Sequence, residues 1–216
     1  MTRLHHPSDE MLMAYGAGSL DEASAVLVAS HLTYCPRCRS DVQRIERLGG
    51  LELEQLPVAA VADDALARVL ARIDQTPLPP SPRPPVMASA TGLPRPLAAY
   101  LPNGLEGVGW KRLGAGIEQT ILLAKGAHKA KLLRVRPGVI IPEHGHSGDE
   151  LTLVLQGCYQ DRGQTYLKGD VAMVDSTVQH RPAAVGETLC LCLVVSTGPI
   201  KLSGVLGRLV APFLDL

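Results

Sequence analysis

The chain has 216 residues, no net formal charge at pH 7, 46% apolar residues and only 3% aromatic residues. It is long enough for two modest domains built on aliphatic cores, and its neutral charge removes the simplest argument for direct nucleic-acid binding. No apolar run approaches the roughly 18 residues of a membrane helix, and the N-terminus lacks a basic segment followed by an apolar one, so we expect a cytoplasmic protein without membrane contact.

The charges are unevenly distributed along the chain. Residues 1–75 carry seven Lys or Arg against eleven Asp or Glu, and residues 76–216 carry fourteen against ten. An acidic first part suits a basic protein partner. An ordinary solvated acidic surface explains the same charges equally well.

The first 75 residues show the apolar periodicity of short helices. Ser8 is a plausible N-cap for the first helix, and Pro36 marks a corner at which the third begins. Four helices are predicted, over Asp9–Tyr15, from Leu20–Asp21 to Leu32, from Pro36 to Gly49–Gly50, and over Asp63–Ile73. Such a small helical bundle has a limited core and would benefit from a staple.

The corner between the second and third helices carries the pattern H-x-x-x-C-x-x-C, formed by His31, Cys35 and Cys38. Two thiolates three residues apart on a turn can face one ion, a histidine one helical turn earlier points the same way, and Zn²⁺ prefers such mixed sulfur and nitrogen ligands. A closed site needs a fourth ligand, for which His5 and His6 are the nearby candidates. The alternatives are free buried cysteines or a thioredoxin-like redox pair, which would require a strand–helix context that is missing here.

This region resembles a known family. The dipeptide His6-Pro7, a short helix ending in the run AYGAG (residues 14–18), and the H-x-x-x-C-x-x-C pattern are similar to the zinc-binding anti-sigma factors, whose helical domain binds extracytoplasmic-function sigma factors. The resemblance covers about residues 1–75. It implies that the upstream ligand is the histidine directly before Pro7. The implied zinc ligands are therefore His6, His31, Cys35 and Cys38.

A proline-rich stretch separates this part from the rest of the chain. Residues 76–96 contain eight prolines and few residues able to form a core. Because proline fixes its own φ and pushes the preceding residue towards extended conformations, this stretch should be a semi-rigid linker. We therefore predict a helical domain over residues 1–75, a linker over 76–96 and a second domain over 97–216, with no core shared between the two domains.

Downstream of Tyr100 the pattern changes to short β-branched and leucine-rich runs between glycine or Pro-Gly turns. Five strands are predicted, over Thr120–Leu123, Ala130–Val135, Leu151–Leu155, Val171–Val174 and Leu189–Val195. Such a series indicates an all-β barrel or sandwich. The remaining cysteines, Cys158, Cys190 and Cys192, lie in apolar strand-like runs, so we expect them in the core.

The β region contains a second set of metal-binding residue types, with the spacing Gly138-x5-His144-x-His146-x3-Glu150-x6-Gly157. Residues two apart on a strand share a face, so both histidines can point into a barrel and Glu150 can complete the set. The spacing matches the first sequence motif of the cupin superfamily in full. This resemblance implies a double-stranded β-helix, or jelly-roll, barrel.

The second cupin motif is degenerate in this sequence. Gly163 and Gly169-Asp170 resemble its turn, but the expected proline and asparagine are missing and the histidine comes late, at His180. His180 is still the natural fourth ligand, because it falls on the last segments of the barrel. His128 precedes the first motif in a lysine-rich turn and is expected at the surface. Three imidazoles and a carboxylate suit zinc or another divalent transition metal, such as Fe²⁺, Mn²⁺ or Ni²⁺.

A helical zinc module, a linker and a cupin, in this order, resemble the zinc-binding anti-sigma factors of the ChrR type across nearly the whole chain. This resemblance implies a regulator that inhibits its sigma factor in a 1:1 complex, and a cupin that responds to an oxidative signal of the singlet-oxygen type by triggering release. The alternative is a metal-dependent cupin enzyme, a dioxygenase or isomerase, with a helical accessory domain. Its acid–base candidates would be Glu143, Tyr159 and Tyr166, each of which we interpret as structural.

Overall fold

The computed structural model describes residues 5–76 and 92–202. Its helices are α1 (Asp9–Gly16), α2 (Glu22–Tyr34), α3 (Pro36–Glu54), α4 (Ala65–Gln75) and α5 (Arg95–Ala98). Its strands are β1 (Lys111–Gly114), β2 (Ile117–Lys125), β3 (His128–Val135), β4 (His144–His146), β5 (Glu150–Gln156), β6 (Cys158–Asp161), β7 (Gln164–Leu167), β8 (Val171–Val174), β9 (Gln179–His180), β10 (Ala183–Val185), β11 (Cys190–Ser196) and β12 (Ile200–Leu202). None of the helices in the described ranges is long and apolar enough to cross a membrane.

The first three helices begin where the sequence provides helix starts. Ser8 and Asp21 accept hydrogen bonds as the N-caps of α1 and α2, and Pro36 lies in the first turn of α3. The predicted end of α3 at Gly49–Gly50 is wrong, because the helix continues to Glu54. Neither glycine takes the left-handed conformation of a helix end. The helix passes through them at a cost of about 1 kcal/mol each relative to alanine.

The strands form three antiparallel sheets. The largest has six strands in the order β1-β2-β3-β11-β5-β8, and the two smaller sheets have the orders β10-β6-β7 and β12-β4-β9. The five predicted strands correspond to β2, β3, β5, β8 and β11. The other seven have only two to four residues each, too few to show a periodic pattern in the sequence.

Strands β5 and β11 are buried on both faces, which explains their continuous apolar sequences. Alternate residues face the barrel interior, namely Thr152, Val154, Cys190, Cys192 and Val194. The residues between them face outward, namely Leu151, Leu153, Leu155, Leu191, Leu193 and Val195. This outward set packs with Ala23 and Leu27 of α2 and Leu97 of α5, all of them buried.

The helical and β parts therefore share one hydrophobic core, and the prediction of two separate cores is wrong. Helix α2 has two buried sides. Val28 packs inside the helical cluster with residues of α1 and α3, whereas Ala23 and Leu27 pack against the sheet. A helix that is apolar on several sides is buried on several sides.

Most of the predicted linker, residues 77–91, lies outside the described residues. Its described end is more than a spacer, because Leu93 is buried and Pro96 lies in the first turn of α5. The division into residues 1–75, 76–96 and 97–216 stays a prediction.

Candidate metal centres

Four side chains converge at the corner between α2 and α3. His6 precedes α1, His31 lies in the last turn of α2, and Cys35 and Cys38 lie at the start of α3. The Nδ1 atom of His6 lies 3.4 Å from both sulfurs, and Nε2 of His31 lies 3.3 Å from Sγ of Cys38. All four ligand atoms lie within 4.8 Å of one another. The structure thus brings together the four residues predicted for the first site.

These distances suit a tetrahedral zinc ion. With Zn–S bonds of about 2.3 Å and Zn–N bonds of about 2.0–2.1 Å, the edges of the tetrahedron measure roughly 3.3 to 3.8 Å. Burial, followed by the contact with Cys35, raises the pKa of the Cys38 thiol to about 12. Burial also lowers the pKa of His6 and His31, which favours neutral rings. A metal ion is the group that would displace the thiol protons and accept all four donors.

The first site is supported from the β part of the chain. The Nδ1 atom of His31 lies 2.8 Å from the carbonyl oxygen of Gly169, in the turn between β7 and β8. When Nδ1 carries the proton and donates it to this carbonyl oxygen, Nε2 is unprotonated, and its lone pair is available on the side of Cys38. Asp170, which is buried, accepts the backbone N–H of His5 on Oδ1, and the N–H of Val171 donates to the His5 carbonyl. The turn therefore holds the ring of one predicted ligand, His31, and the backbone next to another, His6.

A second group of four lies inside the barrel. Strand β4 carries His144 and His146, and its antiparallel pairing with β9 places His144 opposite His180. Nε2 of His180 lies 3.1 Å from Nε2 of His144 and 3.0 Å from Nε2 of His146. Oε1 of Glu150, on β5, lies 3.8 Å from Nε2 of both His146 and His180. All four are buried, and these are the four residues predicted for the second site.

Imidazole nitrogens this close to one another call for a cation between them. The Nδ1 atom of His144 lies 2.8 Å from the carbonyl oxygen of Pro142, and Nδ1 of His180 lies 2.9 Å from Oδ2 of Asp161. With the protons on Nδ1, the two Nε2 atoms face each other with lone pairs. Burial lowers the pKa of His144 to about 4 and that of His146 to about 3, so neither of these two rings is charged at neutral pH. A divalent metal ion fits this donor set.

Sequence reasoning missed two buried charged residues beside the second group. The carboxylate of Asp161 orients His180, as carboxylates commonly orient metal-binding histidines. Lys131 lies on β3, where its ammonium group is attracted by the carboxylate of Glu150. Both are charged residues within strands, on faces that otherwise carry apolar residues. A charged residue at such a position is a signal that could have identified them, because a buried charge needs a partner.

The other predicted residues lie outside the two metal groups. His128 is partly exposed, as expected, and its Nδ1 lies 3.3 Å from Oδ2 of Asp21, a further contact between the β and helical parts. Cys190 and Cys192 are buried as predicted, with their sulfurs 3.6 Å apart. Cys158 is only partly buried, so its assignment to the core is wrong.

The acid–base candidates of the alternative enzyme differ in exposure. Glu143 is exposed, whereas Tyr159 and Tyr166 are buried with their rings 5.4 Å apart. Burial raises the pKa of both phenols, which keeps them protonated at neutral pH. Both tyrosines are part of the apolar cluster inside the barrel, which fits a structural role.

Known proteins are similar to both parts of the chain. Residues 8–39 match a family described as a putative zinc-finger, and residues 105–201 match the ChrR cupin-like domain. The chain is 38% identical over 213 residues to the anti-sigma-E factor ChrR of Cereibacter sphaeroides, covering 99% of both proteins. It is also similar, with a TM-score of 0.74 and 38% identity, to a chain in the crystal structure of Rhodobacter sphaeroides SigE in complex with the anti-sigma ChrR, over 89% of this chain and 98% of that one.

These similarities confirm the predicted fold, a helical zinc-binding unit followed by an all-β cupin barrel. The zinc-finger match includes His31, Cys35 and Cys38 but begins after His6. The cupin match includes all four residues of the second group.

Proposed function

Because this chain belongs to the ChrR family of anti-sigma factors, which are regulators rather than enzymes, we propose that it binds and inhibits an extracytoplasmic-function sigma factor in a 1:1 complex. The similar structure holds ChrR in complex with SigE, and the two chains correspond over most of their lengths. The proposed location is the cytoplasm, where sigma factors act. The observation that carries the proposal is an apolar surface on α3 and α4.

Seven apolar side chains of α3 and α4 are each more than half exposed. One of them is Leu53. We call the other six the apolar helix surface: Leu48, Leu51, Leu66, Val69, Leu70 and Ile73. The four members on α4 are spaced i, i+3, i+4 and i+7, so they lie on one face of that helix. Helix α4 has no buried residue, and an isolated helix of 11 residues is marginal in water. Both facts support a partner that covers this surface.

We propose that zinc at the first site stabilises the corner between α2 and α3. A structural zinc ion would cross-link His6, ahead of α1, to α2 and α3 in a bundle with a small core. At the second site we propose zinc or another divalent transition metal, which the three imidazoles and the carboxylate do not distinguish. The proposed ligands are His6, His31, Cys35 and Cys38 at the first site, and His144, His146, Glu150 and His180 at the second.

We further propose that the cupin part receives an oxidative signal of the singlet-oxygen type and promotes release of the sigma factor. A signal can shift binding only if the two states of the cupin interact differently with the complex. The contacts between the parts support such a connection. Strand β5 carries Glu150 on its inner face and Leu151 and Leu153 against α2, and the turn at Gly169 contacts His31.

The binding surface can be tested by introducing two charges on α4. The double variant Leu66→Glu with Leu70→Glu should lose the sigma factor, because carboxylates in a desolvated apolar interface remain unpaired. The matched control, Ala67→Glu with Ala71→Glu, adds the same charges on the side of α4 away from the apolar helix surface. Co-purification of the tagged protein with the sigma factor from the native cell, followed by titration of the purified pair, measures the effect.

We expect the leucine variant to bind at least about a hundredfold more weakly and the alanine variant to bind normally. Zinc content and thermal unfolding should be unchanged in both. Equal binding by the two variants would remove the apolar helix surface from the interface, and the absence of any sigma factor in the wild-type preparation would contradict the proposed function. In the same assay, His180→Ala should retain the sigma factor but no longer release it after an oxidative stimulus. Failure to bind before the stimulus would contradict the proposed division of labour.

A further inference from the structure

A cavity of about 500 Å³ lies inside the barrel, next to the second metal group. Its walls are mainly aliphatic, formed among others by Leu113, Ile117, Leu133, Val135, Ile141 and Val194. At about 30 Å³ for each water-sized group, the space holds on the order of 15 non-hydrogen atoms. The exposed residues Ile140 and Glu143 also line it, so the cavity opens to solvent. These properties are typical of a small-molecule site.

The polar groups of the cavity lie together. His144 and Glu150 line it, as do Lys131, Thr152 and Tyr159. The carboxylate of Glu150 acts electrostatically on both the ammonium group of Lys131 and the phenol of Tyr159. The cavity therefore has one buried polar region, beside the metal group. Its other walls are mainly apolar, with the exposed Glu143 as a further charged residue.

Lys131 gives this polar region its chemical preference. Lys131 is only 6% exposed, and among the described residues no carboxylate forms an ion pair with it. The carboxylate of Glu150 attracts the Lys131 ammonium group from beyond ion-pair distance, and its Oε1 lies 3.8 Å from Nε2 of both His146 and His180. Burial lowers the pKa of Lys131, the attraction of the Glu150 carboxylate opposes this shift, and a further anion beside the amine would stabilise its charged form. A buried charge of this kind is unfavourable unless an anion pairs with it.

We propose that the cavity binds a medium-chain apolar carboxylic acid, with the carboxylate at Lys131 and the hydrocarbon chain along the aliphatic walls. The carboxylate accepts hydrogen bonds from the ammonium group, and the hydroxyls of Tyr159 and Thr152 are further donors. The chain displaces water from apolar surface. A neutral or cationic head group is disfavoured because it leaves Lys131 unpaired. This inference goes beyond the proposed inhibition of a sigma factor, and its test needs no sigma factor.

The test uses decanoate and decanol as probes, titrated calorimetrically into the full-length chain with its metal content measured. We expect the wild type to bind decanoate about tenfold or more tightly than decanol, because a charged hydrogen bond is lost with the alcohol. Lys131→Met should bind decanol like the wild type but lose the preference for decanoate. The matched control is Lys129→Met, on the same strand but not lining the cavity, and it should keep the preference.

Three results would overturn the inference: no binding of either probe, equal affinity of the wild type for both, or an unchanged preference in folded Lys131→Met. If Lys131→Met does not fold or loses its metal, Lys131→Arg replaces it, because it retains the positive charge and should retain the preference. An arginine variant that is folded and metal-loaded but indifferent to the head group would also overturn the inference. The wild-type ratio of the two affinities decides the question even without a variant.

Discussion

Replacing Leu27 with alanine would test whether the helical and β parts are one cooperative unit. Leu27 is 0% exposed and belongs to the core that α2 shares with β5 and β11. Removing a buried leucine side chain loses its transfer free energy and leaves a cavity, so the free energy of unfolding should fall by about 2 to 5 kcal/mol. In a chain of this size, 1 kcal/mol shifts the melting temperature by roughly 2–4 °C. We therefore expect a decrease on the order of 10 °C.

Trp110 reports on this change from the other side of the interface. It is the single tryptophan of the sequence, lies just before β1, and packs against the shared core. Its fluorescence follows the unfolding of the β part, so a substitution in α2 moves the Trp110 transition only if the two parts unfold together. Met13→Ala, at a site 60% exposed on α1, is the control and should change stability by less than about 0.5 kcal/mol. A Trp110 transition unaffected by Leu27→Ala, with earlier loss of helical circular dichroism, would refute the shared core.

Two further substitutions probe the residues that support the metal sites. Gly169→Ala should weaken zinc binding at the first site, because the φ of +95° is strained for alanine and the new Cβ would lie 3.0 Å from the Cβ of Tyr34. Chelator competition measures the loss, and Gly163→Ala, with a similar φ in open space, is the control; equal zinc affinity in the two variants would contradict a role for the turn. Asp161→Asn should weaken metal binding at the second site by about ten- to a hundredfold, because His180 would lose the carboxylate that orients its ring. Elemental analysis after dialysis checks this against the exposed Asp149→Asn, and equal metal retention would argue against the expected role.

The two candidate metal groups were predictable because most of their residues are close in sequence. His31, Cys35 and Cys38 lie within two turns of the chain around one proline, and His144 and His146 alternate on one strand. Such spacing fixes which side chains can face one point before any tertiary structure is known. His6 and His180 lie far from the other ligands of their sites, and they depended on the resemblance to known motifs or on their place in the barrel.

The shared core was not predictable because its contacts have no local pattern. The two buried sides of α2 are built mainly from alanine, valine and leucine. In the sequence they form one broad apolar pattern that does not distinguish two separate contact surfaces. The contact between His31 and Gly169 joins residues 138 positions apart, and neither residue type indicates the other. Lys131 was missed for a related reason: a lysine in a strand is ordinarily assigned to the exposed face. Its burial depends on a barrel interior that the sequence does not specify locally.

The distance between His31 and Gly169 along the chain also sets an order of events during synthesis. At about 5–20 residues per second, a ribosome needs roughly 7 to 28 s to translate the 138 residues between them. For this interval α2 is complete while the strands that bury Leu27 are still being made. The uncovered side of the helix is then accessible to chaperones and to neighbouring nascent chains. The barrel strands must compete with chaperones and nascent chains for the apolar side of α2. The capacity of the cell's chaperones to shield this helix therefore affects the yield of folded protein.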